Sequence, residues 1–262
     1  MRSLNIQCGK YKNGISENWI AESLKLALFF TVFAAVCVAL SAFGNAIFRK
    51  ADGIRSSSEV QSLGKMPTVV IDAGHGGFDG GAVSANGVVE KDINLSVAVY
   101  LDSFFSAGGY DVVMTRTDDT LLSSPNHTGS KKRSDLFGRV ETAQKYDNPV
   151  FISIHQNKFE IPKYKGLQVY YSKNAPQSEI IAKNIQRYAR ENIQPENNRE
   201  AKPAGSSILV LDKLKTPAVL VECGFLSNPD EAKLLSDDAY RRKLAFVIYL
   251  AVNDCVRGDY AD

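Results

Sequence analysis

From residue 68 to the carboxyl end, short β-branched runs alternate with helical patterns, and this alternation constrains the fold more than any other feature of the chain. Strand-like runs lie at Thr68 to Asp72, Tyr110 to Thr115, Val150 to Ile154, Leu167 to Tyr171, Ile208 to Leu211 and Ala218 to Val221, six in all. Between them Ile93, Val97, Tyr100, Leu101 and Phe104 share one helical face, as do Ile181, Ile185 and Tyr188. The final pattern is the longest: Tyr240, Leu244, Val247, Ile248, Ala251 and Cys255 form an apolar stripe suited to closing over a sheet. The order predicts an α/β domain with helices on both faces of a six-stranded, largely parallel or mixed sheet, whose ligands bind beyond the carboxyl ends of the strands.

Ahead of this domain, Leu26 to Phe48 runs 23 residues without a charge, against the roughly 20 that span a bilayer as a helix. Lys25 and Arg49-Lys50 bracket it. A cleavable leader has a shorter apolar region of about 7 to 15 residues, so length favours an uncleaved single-pass anchor, although Gly44-Asn45-Ala46 would suit cleavage. Basic residues flank the run evenly and do not orient it. The serine- and glycine-rich stretch 49–65 reads as a flexible tether, which places the folded domain at 66–258.

Composition removes several functions. Net charge is only +2, from 31 basic and 29 acidic side chains, too weak a field to argue for a nucleic-acid partner. The four cysteines are scattered, which speaks against a disulfide framework or a cysteine zinc site. Only three histidines occur, so a metal site using two of them takes most of the supply.

Two of these histidines fall where the strand-end rule points. His75 follows the first strand inside a glycine-rich turn, His155 follows the buried run VFISI, and Glu222 follows AVLV. Taken singly each has a plainer explanation. A histidine in such a turn is more often a surface residue, and His155 fits a core position equally well. A carboxylate ending so apolar a strand needs a metal or a cation, for which Arg116 and Lys202 are candidates. Together, two imidazoles and one carboxylate leave a zinc ion a fourth position for water, with a further carboxylate as base. His127, in the polar stretch SSPNHTGSKKRSD, reads as solvated, and Lys131, Lys132 and Arg133 as a solvated charge run. Cys223 should point away from Glu222, into the core.

Five stretches, VVIDAGHGGFDGGA, GVVEKDINL, TRTDD, FISIHQN and PAVLVECGFLSNPDEAKLL, occur in an order that resembles the zinc-dependent N-acetylmuramoyl-L-alanine amidases of bacterial cell walls, over about Val69 to Val256. The resemblance implies a twisted six-stranded sheet flanked by helices and one zinc ion held by His75, Glu90 and His155. It also implies Glu222 as catalytic carboxylate, with Arg116, Asn157 and Lys202 as supporting or substrate-proximal residues. Peptidoglycan is then the substrate. That sets residues 66–258 outside the cytoplasmic membrane, 26–48 within it and 1–25 in the cytoplasm. Only KFEIPKYK follows the second histidine, where some cell-separation amidases carry a plugging helical insertion, so the site is either open by default or governed by a separate activating protein. The anchor together with REAKP, Arg199 to Pro203, is similar to the germination-type amidases that prepare spore cortex. The four key residues alone also suit a catalytically silent wall-binding domain or a zinc peptidase cutting within the stem peptide.

Overall fold

The computed structural model describes Lys25, Leu28, residues 66–127 and residues 129–258. The chain divides into two units, Met1–Gly64 and Lys65–Asp262. Among the described residues no helix is long and apolar enough to cross a membrane. The expected anchor at 26–48 lies, Leu28 apart, outside them.

Six strands form one sheet in the order β2-β1-β3-β6-β4-β5. These are β1 (Val69–Ala73), β2 (Val112–Met114), β3 (Val150–Asn157), β4 (Gln168–Tyr171), β5 (Lys202–Pro203) and β6 (Ala218–Phe225). All neighbours are parallel except β4 and β6, so the sheet is mixed. Around it stand α1 (Glu90–Ala107), α2 (Lys131–Gln144), α3 (Gln177–Asn192), α4 (Leu209–Lys213), α5 (Pro229–Ser236) and α6 (Asp238–Arg257).

Alternation along each strand feeds two cores. Val69, Ile71, Ile152, Ile154, Val169 and Val221 face the apolar stripes of α1, α3 and α6, where Val97, Leu101, Ile181, Ile185, Leu244 and Ile248 are buried. Val70, Phe151 and Leu220 point the other way, against Val140 of α2 and Val210 and Leu211 of α4. Helices therefore cover both faces. Cys223 joins the first core, as its alternation with Glu222 requires.

One expected strand is a helix. Ile208 to Leu211 enters α4, and the sixth strand is instead the two-residue β5. A four-residue apolar run carries no period that separates strand from buried helix, and β5 is a polar edge of Lys202 and Pro203 with no apolar signal. Two strands also outrun their apolar stretches: β3 continues through Asn157 and β6 through Phe225, so His155 and Glu222 sit within the strands' carboxyl ends. The expected charge run Lys131 to Arg133 opens α2, capped by Ser130, whose Oγ accepts the Arg133 N–H at 3.3 Å.

Candidate active site

The site is built where β1, β3 and β6 end. After β1 the chain turns through Gly74 and His75, and His75 takes a left-handed backbone with φ 62°. That conformation is costly for a residue with a side chain and must be held from outside. Two buried arginines hold it. Arg139 of α2 donates to the carbonyls of Ala73 and His75, both at 2.8 Å. Arg116 donates to the same Ala73 carbonyl at 2.9 Å, to Gly74 at 3.1 Å and to Lys91, beside Glu90, at 2.8 Å. Arg116 is thus wholly engaged with backbone carbonyls, and it does not pair with Glu222.

Arg139 is itself neutralised by two acids, one remote in sequence and one a helical turn away. Its guanidinium meets Asp72 at 2.6 Å and Asp135 at 2.8 Å, all three buried. Burial alone would push Asp72 up, but Arg139 and the Ser153 and Thr115 hydroxyls hold its carboxyl below the usual range.

The second ligand position comes from the start of α1. No side chain caps that helix. Instead its first N–H groups, from Glu90 and Lys91, donate to the carbonyls of Ala82 and Gly80 at 2.9 and 3.2 Å, locking the loop after His75 onto the helix. The Glu90 carboxylate, buried, accepts the N–H of Ala82 at 2.7 Å and of Gln156 at 3.0 Å.

Around Glu90 the histidines converge. Glu90 Oε1 lies 3.1 Å from His75 Nε2 and 3.0 Å from His155 Nδ1, and one donor atom from each of the three residues lies within 4.8 Å of the others. The imidazole rings stand edge to face, 4.9 Å between centroids. Asp79 lies 3.0 Å from His75 Nδ1, the arrangement that would hold the proton on Nδ1 and free Nε2 for a metal. Burial would lower the His75 pKa, yet Glu90 and Asp79 raise it above its ordinary value. Burial likewise opposes the charge on Glu90, but the two imidazoles bring its carboxyl far below the normal range. Two nitrogen donors and one carboxylate at these separations fit a shared divalent ion bound about 2.0–2.2 Å from each.

The approach of these side chains depends on missing Cβ atoms. A Cβ on Gly74 would stand 2.2 Å from His155 Nε2, and one on Gly81 2.5 Å from Glu90 Oε2 and 2.7 Å from the His75 ring.

Glu222 comes to the same rim from β6, where it is the register partner of His155 across the β3–β6 pair. Its Oε2 is buried and accepts no hydrogen bond among the described residues. Burial, countered in part by the histidines and reinforced by Glu90, pushes its pKa up to about 7. Tyr170, on the neighbouring strand, is raised by burial and by Glu222.

The other expected residues differ in role. Asn157 follows a register shift at the end of β3, half-buried, and its carbonyl accepts the Leu226 N–H at 2.8 Å. Lys202 is exposed on β5. His127 is not solvated: its ring stacks on Phe137 at 4.5 Å, and its Nε2 is buried without a partner among the described residues. Lys132, exposed, reaches Asp79 at 3.2 Å. Sequence reasoning missed Asp79, Asn94, Arg139 and Gln156. Asn94 donates to the Gly74 carbonyl at 3.0 Å and accepts from Gln156 at 3.1 Å. For Asp79, Asn94 and Gln156 a signal existed, since all three stand inside the stretches already singled out.

A mixed sheet that gathers two imidazoles and a carboxylate, with a second carboxylate one strand away whose buried oxygen has no partner among the described residues, has the parts of a metal-assisted hydrolase. The family model described as N-acetylmuramoyl-L-alanine amidase matches residues 69–254, and the chain belongs to that family, enzymes that hydrolyse the amide between the N-acetylmuramoyl group and L-alanine. The chain is 36% identical over 186 residues to the germination-specific N-acetylmuramoyl-L-alanine amidase of Bacillus subtilis, covering 70% of this chain and 77% of that relative. It is 30% identical to the amidase AmiA of Escherichia coli, over 74% of this chain and 77% of AmiA. Among solved structures, the CwlD amidase of Clostridioides difficile, in complex with the GerS lipoprotein, superposes with a TM-score of 0.69 at 38% identity, covering 74% of this chain and all of that one.

Proposed function

We propose that this amidase uses one zinc ion, held by His75, Glu90 and His155, with Glu222 as the carboxylate that moves the proton. The bond cut is the amide joining the lactyl group of muramic acid to L-alanine of the stem peptide. The observation that carries this reading is the state of Glu222, whose buried oxygen lacks a partner among the described residues while its strand register sets it beside His155.

When bound, zinc would acidify a water toward about pH 7 and polarise the scissile carbonyl. Glu222, a desolvated carboxylate on the same rim, would accept the proton of the attacking water and return it to the leaving nitrogen. Asp79 holds His75 by its other ring nitrogen, and Arg116 and Arg139 keep the His75 turn in its strained form. Asn157 and Lys202 are assigned in this reading to the substrate rather than to the metal.

The wall substrate supports a catalytic domain outside the cytoplasmic membrane, tethered by the charge-free run 26–48. Likeness to a germination-specific amidase supports spore cortex as the wall. A relative solved together with a lipoprotein supports control by a separate protein. Digestion of purified vegetative wall and cortex by the full chain, stripped of metal and reloaded with zinc, tests the reading through the mass of the products. Peptides with an L-alanine amino terminus are expected. Cuts inside the stem peptide would indicate a peptidase, and tight wall binding without products a silent domain.

A further inference from the structure

A cavity of about 810 Å³, within the range of ligand pockets, is walled by Lys163 to Gln168, by the loop from Ile193 to Lys202 and by the first turns of α5. It adjoins the rim through one residue. Gln168 is the register partner of Glu222 across β4–β6, as His155 is across β3–β6, so the three stand in one lateral row. Neighbouring strands are about 4.8 Å apart, and paired residues project to the same face. Arg199 extends the row beyond the sheet, its Nη1 donating to Gln168 Oε1 at 3.3 Å.

Arg199 is fixed in place without an ion-pair contact, although its charge acts on the buried Glu231 of the same cavity. Its Nε donates to the Lys165 carbonyl at 2.8 Å, and its guanidinium lies over the Phe225 ring, 4.5 Å from the centroid. Among the described residues no carboxylate forms an ion pair with it. The acids of the cavity wall are engaged elsewhere or exposed: Glu200 pairs with Arg190 at 2.9 Å, Glu231 accepts the N–H groups of Gly166 and Phe225 at 2.8 Å, and Glu196 and Asp230 are exposed. The REAKP stretch therefore presents a rigid fork with N–H donors to spare, the geometry that reads a carboxylate in two-point fashion.

The substrate's two sides differ in charge. The N-acetylated sugar with its amidated lactyl group is neutral, whereas the peptide carries free carboxylates. The reach also matches. One strand step and one hydrogen bond separate Glu222 from the Arg199 fork, about 8 Å, and two extended residues span about 7 Å.

We propose that this cavity receives the leaving stem peptide and that Arg199 binds a free carboxylate on the residue following L-alanine; the inference rests on the amidase reading above. The test compares two soluble muramoyl peptides that differ only in whether that carboxylate is free or amidated. Zinc-loaded wild-type chain is expected to favour the acid by about 10- to 100-fold in kcat/KM, the worth of a charge-assisted contact. In Arg199→Gln the ratio should fall to within about twofold of one, and in Arg199→Lys it should lie between. The wild-type ratio needs no variant to fold: equal rates on the two substrates would overturn the inference, as would a preference that survives Arg199→Gln. If the wild type released no L-alanine-terminated peptide from either substrate, the amidase reading itself would fail.

Discussion

The rim has two halves that are built on opposite terms. On the β1 side, around His75 and Glu90, nearly every polar atom is answered: two arginines hold the turn, backbone N–H groups hold the Glu90 carboxylate, and Asp79 holds His75. On the β6 side, among the described residues, Glu222 keeps a buried oxygen without a hydrogen-bond partner and Arg199 forms no ion pair, its charge reaching only the buried Glu231 through space. The saturated half is costly to disturb and keeps ligands in register. The unsaturated half stores an unfavourable state that a water or a substrate relieves.

If the halves differ in this way, the largest single effect belongs to the unsaturated side. Glu222→Gln should lower kcat on peptidoglycan by about 10²- to 10⁴-fold, the range for a general acid-base group, with zinc content unchanged by elemental analysis. The same change should leave the fold at least as stable.

The saturated side should answer in stability. Arg139→Gln strands Asp72 and Asp135 as buried charges, and a loss of about 3–5 kcal/mol in denaturant unfolding is expected. A loss below about 1 kcal/mol would show that the network is not what holds the turn. Gly74→Ala is a smaller, local disturbance. Its Cβ collides with the His155 ring, so zinc affinity measured by competition with a chelator should fall about 10- to 100-fold.

The smallest effect is a pH dependence. Glu222 has its pKa raised from 4.5 to about 7 in the metal-free protein, so between these values the folded chain keeps a proton that the unfolded chain has released. The stability from that proton is complete below about pH 4.5 and is lost as pH climbs through about 7. Unfolding of wild type and Glu222→Gln at a series of pH values should show the variant gaining on wild type across this window, by about 1–3 kcal/mol. A difference that is flat with pH would mean that Glu222 is not desolvated.

The two halves were also unequally legible in the sequence. His75, Glu90, His155 and Glu222 could be found because each ends or begins an element inside a distinctive run, and chain order joined them. The arginine network could not, because Arg139 meets Asp72 across 67 positions and no local pattern couples them. Arg116 was found without its task, since its partners are backbone carbonyls, which have no sequence signature. In the fold, strands buried on both faces were clear from their apolar runs, whereas β5 was hidden by being an edge of two exposed residues. Ile208 to Leu211 was misread because a short apolar run feeding the second core looks the same in either conformation.

One zinc ion and Glu222 are proposed to share a single water at this rim. A crystal structure of the zinc-loaded chain, with anomalous data at the zinc edge, tests it most directly. One ion is expected about 2.0–2.2 Å from nitrogen atoms of His75 and His155 and an oxygen of Glu90, with Glu222 within hydrogen-bond reach of the fourth ligand. An ion bound elsewhere, or a Glu222 carboxylate turned away from that fourth position, would contradict it.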